Sequence, residues 1–218
     1  MVQINDYMDS LLEKMAGEFG SRLRYVGLQG SYLRGEATEN SDIDVMVLLD
    51  DFSVADMDAY REILMDLGDF EKSCGFICGT EDMQCWNKLE LCHVLNTTKD
   101  YFGKLSDFIP SFSREDVVQF TRMSVNNVYH ALCHSYIHGD SGECYKNLPG
   151  LFKGCFFIMQ SVNYLKTGEY VATKRGLLEK LEGKDRSVLE FAMGQGNPAT
   201  REAFGLLYSW CQEMIRSL

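Results

Sequence analysis

The chain has 218 residues, an apolar fraction of 45%, a charged fraction of 24% and a net charge of −11. These values exclude a disordered, collagen-like or coiled-coil protein, and the negative charge disfavours generic DNA or RNA binding, because a polyphosphate would be repelled. No apolar run approaches the roughly 20 residues of a membrane span, and the first residues lack a basic patch followed by an apolar core, so the expectation is a cytoplasmic protein with no membrane partner.

Tyr7, Met8, Leu11, Leu12, Met15 and Phe19 recur at helical spacing and predict an amphipathic helix over residues 5–19, ended by Gly20. Residues 22–28 read as a strand. Residues 29–41 are rich in turn and cap residues, with room for one short helical turn. A strand is expected over 42–49, a helix over 54–67, and two further strands over 75–79 and 89–95. Alternating helix and strand predicts a sheet with helices packed on it. From about residue 113 the strand signals stop. Apolar-periodic segments at 113–138, 148–167, 174–182, 186–193 and 199–217 predict a helical bundle. The charge changes at the same place: residues 1–110 hold 21 acids against 9 bases, and residues 111–218 hold 11 against 12. The expected organisation is a catalytic domain over 1–110 and a helical bundle domain over 111–218. The eight cysteines include no CxxC pair and several sit in apolar segments, so they are read as reduced small hydrophobes, not disulfides or a zinc site.

The informative stretch runs from Gly30-Ser31 through ten residues to Asp42-Ile43-Asp44. On a strand, residues two apart share a face, so the two carboxylates converge while Ile43 points to the core. Two adjacent carboxylates both stay ionised only with a cation between them. Oxygen ligands suit Mg²⁺, which also binds substrate phosphates. Gly30-Ser31 closes the preceding strand, where glycine permits close backbone approach and turn N–H groups can hold a phosphate. Carboxylates, metal and phosphate cradle are the parts of a phosphoryl or nucleotidyl transfer site. A lone Asp-x-Asp is common on solvated strand edges. The preceding strand and glycine turn lift this one above that background.

This arrangement resembles the signature of the DNA polymerase β-type nucleotidyltransferase superfamily. The string GSYLRGEATENSDIDVMVLL looks like its small bacterial members, the aminoglycoside and lincosamide adenylyltransferases and the minimal nucleotidyltransferases. The resemblance implies an α+β fold, with a mixed β-sheet nucleotidyltransferase core followed by the all-α bundle. It implies two Mg²⁺ ions held by Asp42 and Asp44, and a nucleoside triphosphate whose β- and γ-phosphates lie on Gly30 and Ser31. Ser41 and Arg34 are counted with the nucleotide-binding residues, although Arg34 could equally pair with Glu36 or Glu39. A substrate hydroxyl would attack the α-phosphate and pyrophosphate would leave.

Relatives add a third acid from a later strand. Alternation over the expected strand 89–95 puts Glu90, Cys92, Val94 and Asn96 on one face, and Glu90 is the expected base. Asn96 stands where relatives often carry Asp, which raises the alternative of a protein that binds nucleotide with little turnover. In the second half, Leu165-Lys166-Thr167-Gly168-Glu169 leading to Lys174 resembles the turn and triphosphate-contacting lysine of aminoglycoside adenylyltransferases. Lys166, Lys174, Arg175, Lys180, Lys184 and Arg186 form a basic cluster that could balance a triphosphate. His130, His134 and His138 form a helical stripe, expected to line a cleft or the core, with metal binding as the lesser alternative.

The leading expectation is therefore a Mg²⁺-dependent nucleotidyltransferase. It would move a nucleotidyl group, AMP from ATP first, to a hydroxyl of a small aminoglycoside-like acceptor. A catalytically weak nucleotide-binding module and an antitoxin-like protein adenylyltransferase are the alternatives. Small relatives dimerise, so a homodimer is one assembly to test.

Overall fold

The computed structural model describes residues 2–140 and 142–218. It divides into two compact units, Met1–Ser111 and Phe112–Leu218.

In the first unit, helix α1 (Ile4–Phe19) buries Tyr7, Met8, Leu11, Met15 and Phe19 along one stripe. Gly20, at φ +54°, ends it. Strand β1 (Leu23–Leu28) is followed by a single helical turn, α2 (Gly30–Arg34), and by β2 (Ile43–Leu49). Helix α3 (Val54–Leu67) starts at a capping box in which Ser53 and Asp56 satisfy each other's backbone groups. It crosses over to β3 (Ser73–Gly79), which runs parallel to β2. Short helix α4 (Thr80–Gln84) and helix α5 (Lys88–Asn96) lead to β4 (Lys99–Phe102).

The strands form a mixed sheet in the order β3-β2-β1-β4, with β1 antiparallel to both β2 and β4. Alternation divides the residues of β2. Ile43, Val45, Val47 and Leu49 join the core built with α1 and α3. Asp44, Met46 and Leu48 therefore point to the opposite face. The β2–β3 approach is close: a Cβ built on Gly75, at φ +124°, would stand 2.1 Å from the Val45 carbonyl oxygen.

The second unit is helical, comprising α6 (Arg114–His138), α7 (Glu143–Lys146), α8 (Leu148–Thr167), α9 (Lys174–Leu178), α10 (Gly183–Ala192) and α11 (Arg201–Ser217). Its core gathers Phe152, Phe156, Met159, Leu189, Leu207 and Trp210. The Trp210 indole N–H finds an acceptor in Asp185 at 2.7 Å, as a buried indole requires. Among the described residues, no helix is long and apolar enough to cross a membrane. The cysteines are free thiols.

Two sequence expectations require correction. Residues 89–95 are not a strand but most of α5. Apolar residues at 89, 91, 92, 94 and 95 fit both periods over so short a run. The local cap decides: the Asn87 side chain accepts from Leu89 N, and Glu90 lies in the first turn. Strand β4, over Lys99–Phe102, had no signal of its own. Its four residues are largely exposed and are strand only because they pair with β1.

Candidate active site

The site is built where β1 ends. The Gln29 N–H donates to the Asp44 carbonyl at 2.8 Å, which extends the β1–β2 ladder by one step. The Gln29 side chain also donates to Thr98 Oγ1 at 2.7 Å, tying this corner to the second residue past α5. Gly30 then takes φ +68° and opens α2. A Cβ built on Gly30 would stand 1.8 Å from Asp44 Oδ2, so the carboxylate occupies the space a side chain would need. Ser31 follows in the same turn, and its carbonyl accepts from Glu36 N at 2.9 Å.

The chain returns through a tight turn in which Thr38 N donates to Ser41 Oγ at 2.8 Å and Ser41 N to the Thr38 carbonyl at 3.1 Å. This turn delivers Asp42, exposed, one residue ahead of β2, and Asp44, half-buried, as the second residue of β2. Extended backbone two residues apart puts both carboxylates on the face opposite the α1–α3 core. Ser41 is thus a turn residue that aims the pair.

Arg34 Nε lies 3.0 Å from Glu36 Oε2, and its side chain is only 13% exposed. Of the two fates open to Arg34 in the sequence, the Glu36 ion pair is present. His93, on α5, is half-buried. Burial first, then the Arg34 guanidinium, pull its imidazole down to about 4. It is therefore neutral near pH 7.

The expected strand carrying a third acid is absent, and the residue opposite Asp44 is on β3. Asp44 pairs in register with Cys74 on β3. The Cys74 thiol is exposed. Partial desolvation first, then the charges of Asp44 and Asp42, raise this thiol above its ordinary range. Sequence reading missed Cys74 because only the strand pairing reveals it. Glu90, expected as the base, accepts instead from Trp86 Nε1 at 3.0 Å, just ahead of its own helix. Trp86 in turn packs edge-on against Phe76, with ring centroids 5.0 Å apart. Asn96 ends α5 and donates to the Cys92 carbonyl at 2.8 Å. The alternation that placed Glu90 and Asn96 on one strand face is absent, because the strand is absent. Asp100, on β4, is held by the Tyr25 hydroxyl at 2.7 Å.

Among the described residues, no three His, Cys, Asp or Glu side chains are disposed around a common point. Asp42 and Asp44 are the carboxylate pair on hand. Their hard oxygens, beside a backbone turn that only glycine allows, fit a Mg²⁺ ion carrying its own waters and substrate phosphates.

Residues 9–77 match the nucleotidyltransferase domain family. This part of the chain is similar to nucleotidyltransferase domains. The matched span contains β1, the Gly30 turn, both aspartates and Cys74 at its end. Over 64 residues the chain is 34% identical to a protein of Methanocaldococcus jannaschii named provisionally as a protein adenylyltransferase. That match covers 29% of this chain and 43% of the relative, so the chain spans less than half the length of the curated relative it matches. The whole chain is similar in fold to the spectinomycin adenyltransferase AAD(9) of Enterococcus faecialis, solved with ATP and spectinomycin. The TM-score is 0.60, with 14% identity over 97% of this chain and 99% of that one. The likeness extends past the nucleotidyltransferase domain into the helical unit.

In the helical unit, Lys174 is the first residue of α9, behind a Thr173 cap that accepts from Gly176 N. Its ammonium lies 5.8 Å from the centre of the Phe156 ring. Much of the surrounding basic cluster is engaged locally: Lys180 pairs with Glu169, Lys184 with Glu213 and Arg186 with Glu190. Those three behave as ordinary charged helix-surface residues. His130, His134 and His138 form an exposed stack, with centroids 5.7 and 4.9 Å apart.

Proposed function

We propose that this nucleotidyltransferase is Mg²⁺-dependent and moves AMP from ATP to a hydroxyl of a small-molecule acceptor, releasing pyrophosphate. The observation that carries the reading is the closure of the Gly30 turn onto Asp44, with Asp42 one residue ahead of β2. Asp42 and Asp44 would hold the metal, with room for two ions. Mg²⁺ bound there would neutralise triphosphate charge and polarise the reacting phosphate. Gly30 and Ser31 would bring backbone N–H groups to the β- and γ-phosphates. Ser41 keeps the aspartates aimed, and Arg34 adds positive charge beside the turn. Lys174 is assigned to the triphosphate on its resemblance to the adenylyltransferase lysine. ATP is favoured as donor, and a polar small molecule as acceptor, by the AAD(9) likeness. The net negative charge of residues 1–110 also suits a cationic acceptor.

A second reading has its own support. Cys74 puts a thiol, not a carboxylate, at the strand position beside Asp44. A thiol held above its ordinary range makes a poor base near neutral pH. That favours slow turnover, or an acceptor that brings its own activating group. The M. jannaschii relative extends this to a protein acceptor.

Calorimetry with ATP, GTP, CTP and UTP plus Mg²⁺, on the wild type and on Asp42→Asn/Asp44→Asn, tests the donor site. Mg²⁺-dependent binding of one nucleotide, lost in the double variant, is the expected result. Transfer of α-phosphate label to aminocyclitols or to a protein band then identifies the acceptor. Binding that persists in the double variant would refute the assignment.

A further inference from the structure

We propose that the groove between α6 and α11 binds a flat aromatic carboxylate, held by Arg201 at one end and by the Tyr208 hydroxyl at the other. The groove lies wholly within the helical unit, and the inference does not depend on the nucleotidyl-transfer reading.

The groove has a volume of about 460 Å³, within the range of small-molecule sites. Its wall is aromatic. The Phe204 and Tyr208 rings on α11 lie nearly parallel, at 10°, with centroids 6.5 Å apart. Tyr136 packs on Phe204 from α6, with centroids 4.7 Å apart. Parallel rings along one wall offer a flat ligand an offset stack. Gly205 opens the floor between them. It sits inside α11, where glycine weakens a helix relative to alanine. A Cβ built there would meet no atom within 4 Å, so no packing within this chain calls for the glycine. Bare backbone at that point lets an incoming ring approach closely.

The polar ends set the ligand's chemistry. The Tyr208 hydroxyl accepts from Gln212 Nε2 at 3.1 Å and from the Tyr129 hydroxyl at 3.5 Å. Its acceptor capacity is used, while its own hydrogen has no acceptor among the described residues. Arg201, exposed, lines the other end. It belongs to no ion pair among the described residues. Its neighbour Glu202 lines a separate cavity, with Gln195 and Leu206. A guanidinium fork matches a carboxylate through two parallel N–H···O bonds. Seven helical residues put Arg201 and Tyr208 about 10 Å apart along the axis. The ligand that satisfies both donors is an aryl carboxylate of about that length, with an oxygen acceptor at its far end. A neutral or cationic aromatic would leave Arg201 unmatched.

The test is calorimetric titration of the full chain with 6-methoxy-2-naphthoate, its uncharged amide and 2-naphthoate. Wild type, Arg201→Gln, Tyr208→Phe and Gly205→Leu are compared. The wild type should bind the methoxy acid about tenfold tighter than the amide, and Arg201→Gln should remove that preference. Tyr208→Phe should weaken the methoxy acid about fivefold and leave 2-naphthoate unchanged. Gly205→Leu should abolish binding of all three with an unaltered circular dichroism spectrum. Equal wild-type affinity for acid and amide, or undiminished binding of the acid by Arg201→Gln, overturns the proposal. Arg201 is exposed, so that variant decides the matter even where Gly205→Leu does not fold. A wild-type dimer in light scattering that Arg201→Gln or Gly205→Leu turns into a monomer also overturns it, because a second copy would then cover the groove.

Discussion

Gly30 and Asp44 share one space. The Asp44 carboxylate oxygen lies 1.8 Å from the point where a Cβ on residue 30 would stand, and residue 30 has φ +68°. Ten residues separate Ser31 from Asp42, yet the turn and the strand fit only because one of them has no side chain. Gly30→Ala would add both a clash and a strained left-handed backbone, worth about 1–3 kcal/mol. The expected outcome is a lower melting temperature and a nucleotide affinity reduced along with it. Thermal unfolding and calorimetry on the same preparation check both. An alanine variant with wild-type binding would separate Gly30 from the site.

Removing one site carboxylate should act on chemistry more than on folding. Asp42 is exposed and Asp44 half-buried, and neither belongs to the apolar core. Asp44→Asn is expected to lower nucleotidyl transfer by about 100-fold or more, the scale seen when one preorganised charge-stabilising group is lost. Its unfolding midpoint should stay close to wild type. Turnover assays beside circular dichroism distinguish this from a general loss of fold.

Asp56 is a structural carboxylate and gives the opposite signature. It accepts from Arg22 at 2.7 and 3.2 Å and from the Ser53 hydroxyl and backbone N–H at 2.8 Å. These bonds, led by Arg22, hold it down at about 2. A depressed carboxylate adds stability that is present above its unfolded value, near 4, and is lost as pH falls toward 2. Asp56→Ala is expected to cost about 2–4 kcal/mol, because the α3 cap and the buried end of the ion pair go together. Urea unfolding at pH 7 measures it. The gap between variant and wild type should narrow below pH 4.

His93 predicts an acid sensitivity in a higher window. Its folded value of about 4 lies below the ordinary 6.5. The unfolded chain therefore takes up this proton first as pH falls. Stability attributable to His93 is intact above about 6.5 and declines between 6.5 and 4, by on the order of 3 kcal/mol at about 1.4 kcal/mol per unit. His93→Gln should flatten the melting temperature between pH 7 and 5 relative to wild type. Equal slopes in the two proteins would show that other groups set the acid limb.

Lys174 supplies a test in the helical unit. Lys174→Met keeps much of the stem that lies toward Phe156 and removes the charge. If the lysine meets the triphosphate, ATP affinity should fall about tenfold at low salt, with stability near wild type. An unchanged affinity would leave Lys174 as a packing residue of that helix start.

The sequence by itself determined the elements whose signals are local and repeated. The stripe from Tyr7 to Phe19 gave α1, the apolar run after Asp42 gave β2, and apolar periodicity located the helices of the second unit. Gly30, Ser31, Asp42 and Asp44 were legible because turn, spacing and strand alternation lie within fifteen residues of chain. Arg34 was ambiguous, since Glu36 and a phosphate are equally near in sequence. Lys99–Phe102 was missed, and residues 89–95 of the helix over Lys88–Asn96 were misread as a strand, each for a physical reason. A four-residue edge strand owes its existence to β1, and a nine-residue helix with apolar residues at both periods is decided by its cap.

Tertiary structure alone decided what stands beside Asp44 on the sheet. Twenty-nine residues separate Asp44 from Cys74, and nothing near either one marks the other. Their pairing follows from the parallel register of β2 and β3, fixed by the α3 crossover and by the close approach at Gly75. A one-residue slip would have turned Cys74 to the other face. Register is a property of two strands packed together, so the residue opposite Asp44 could be read only once they were.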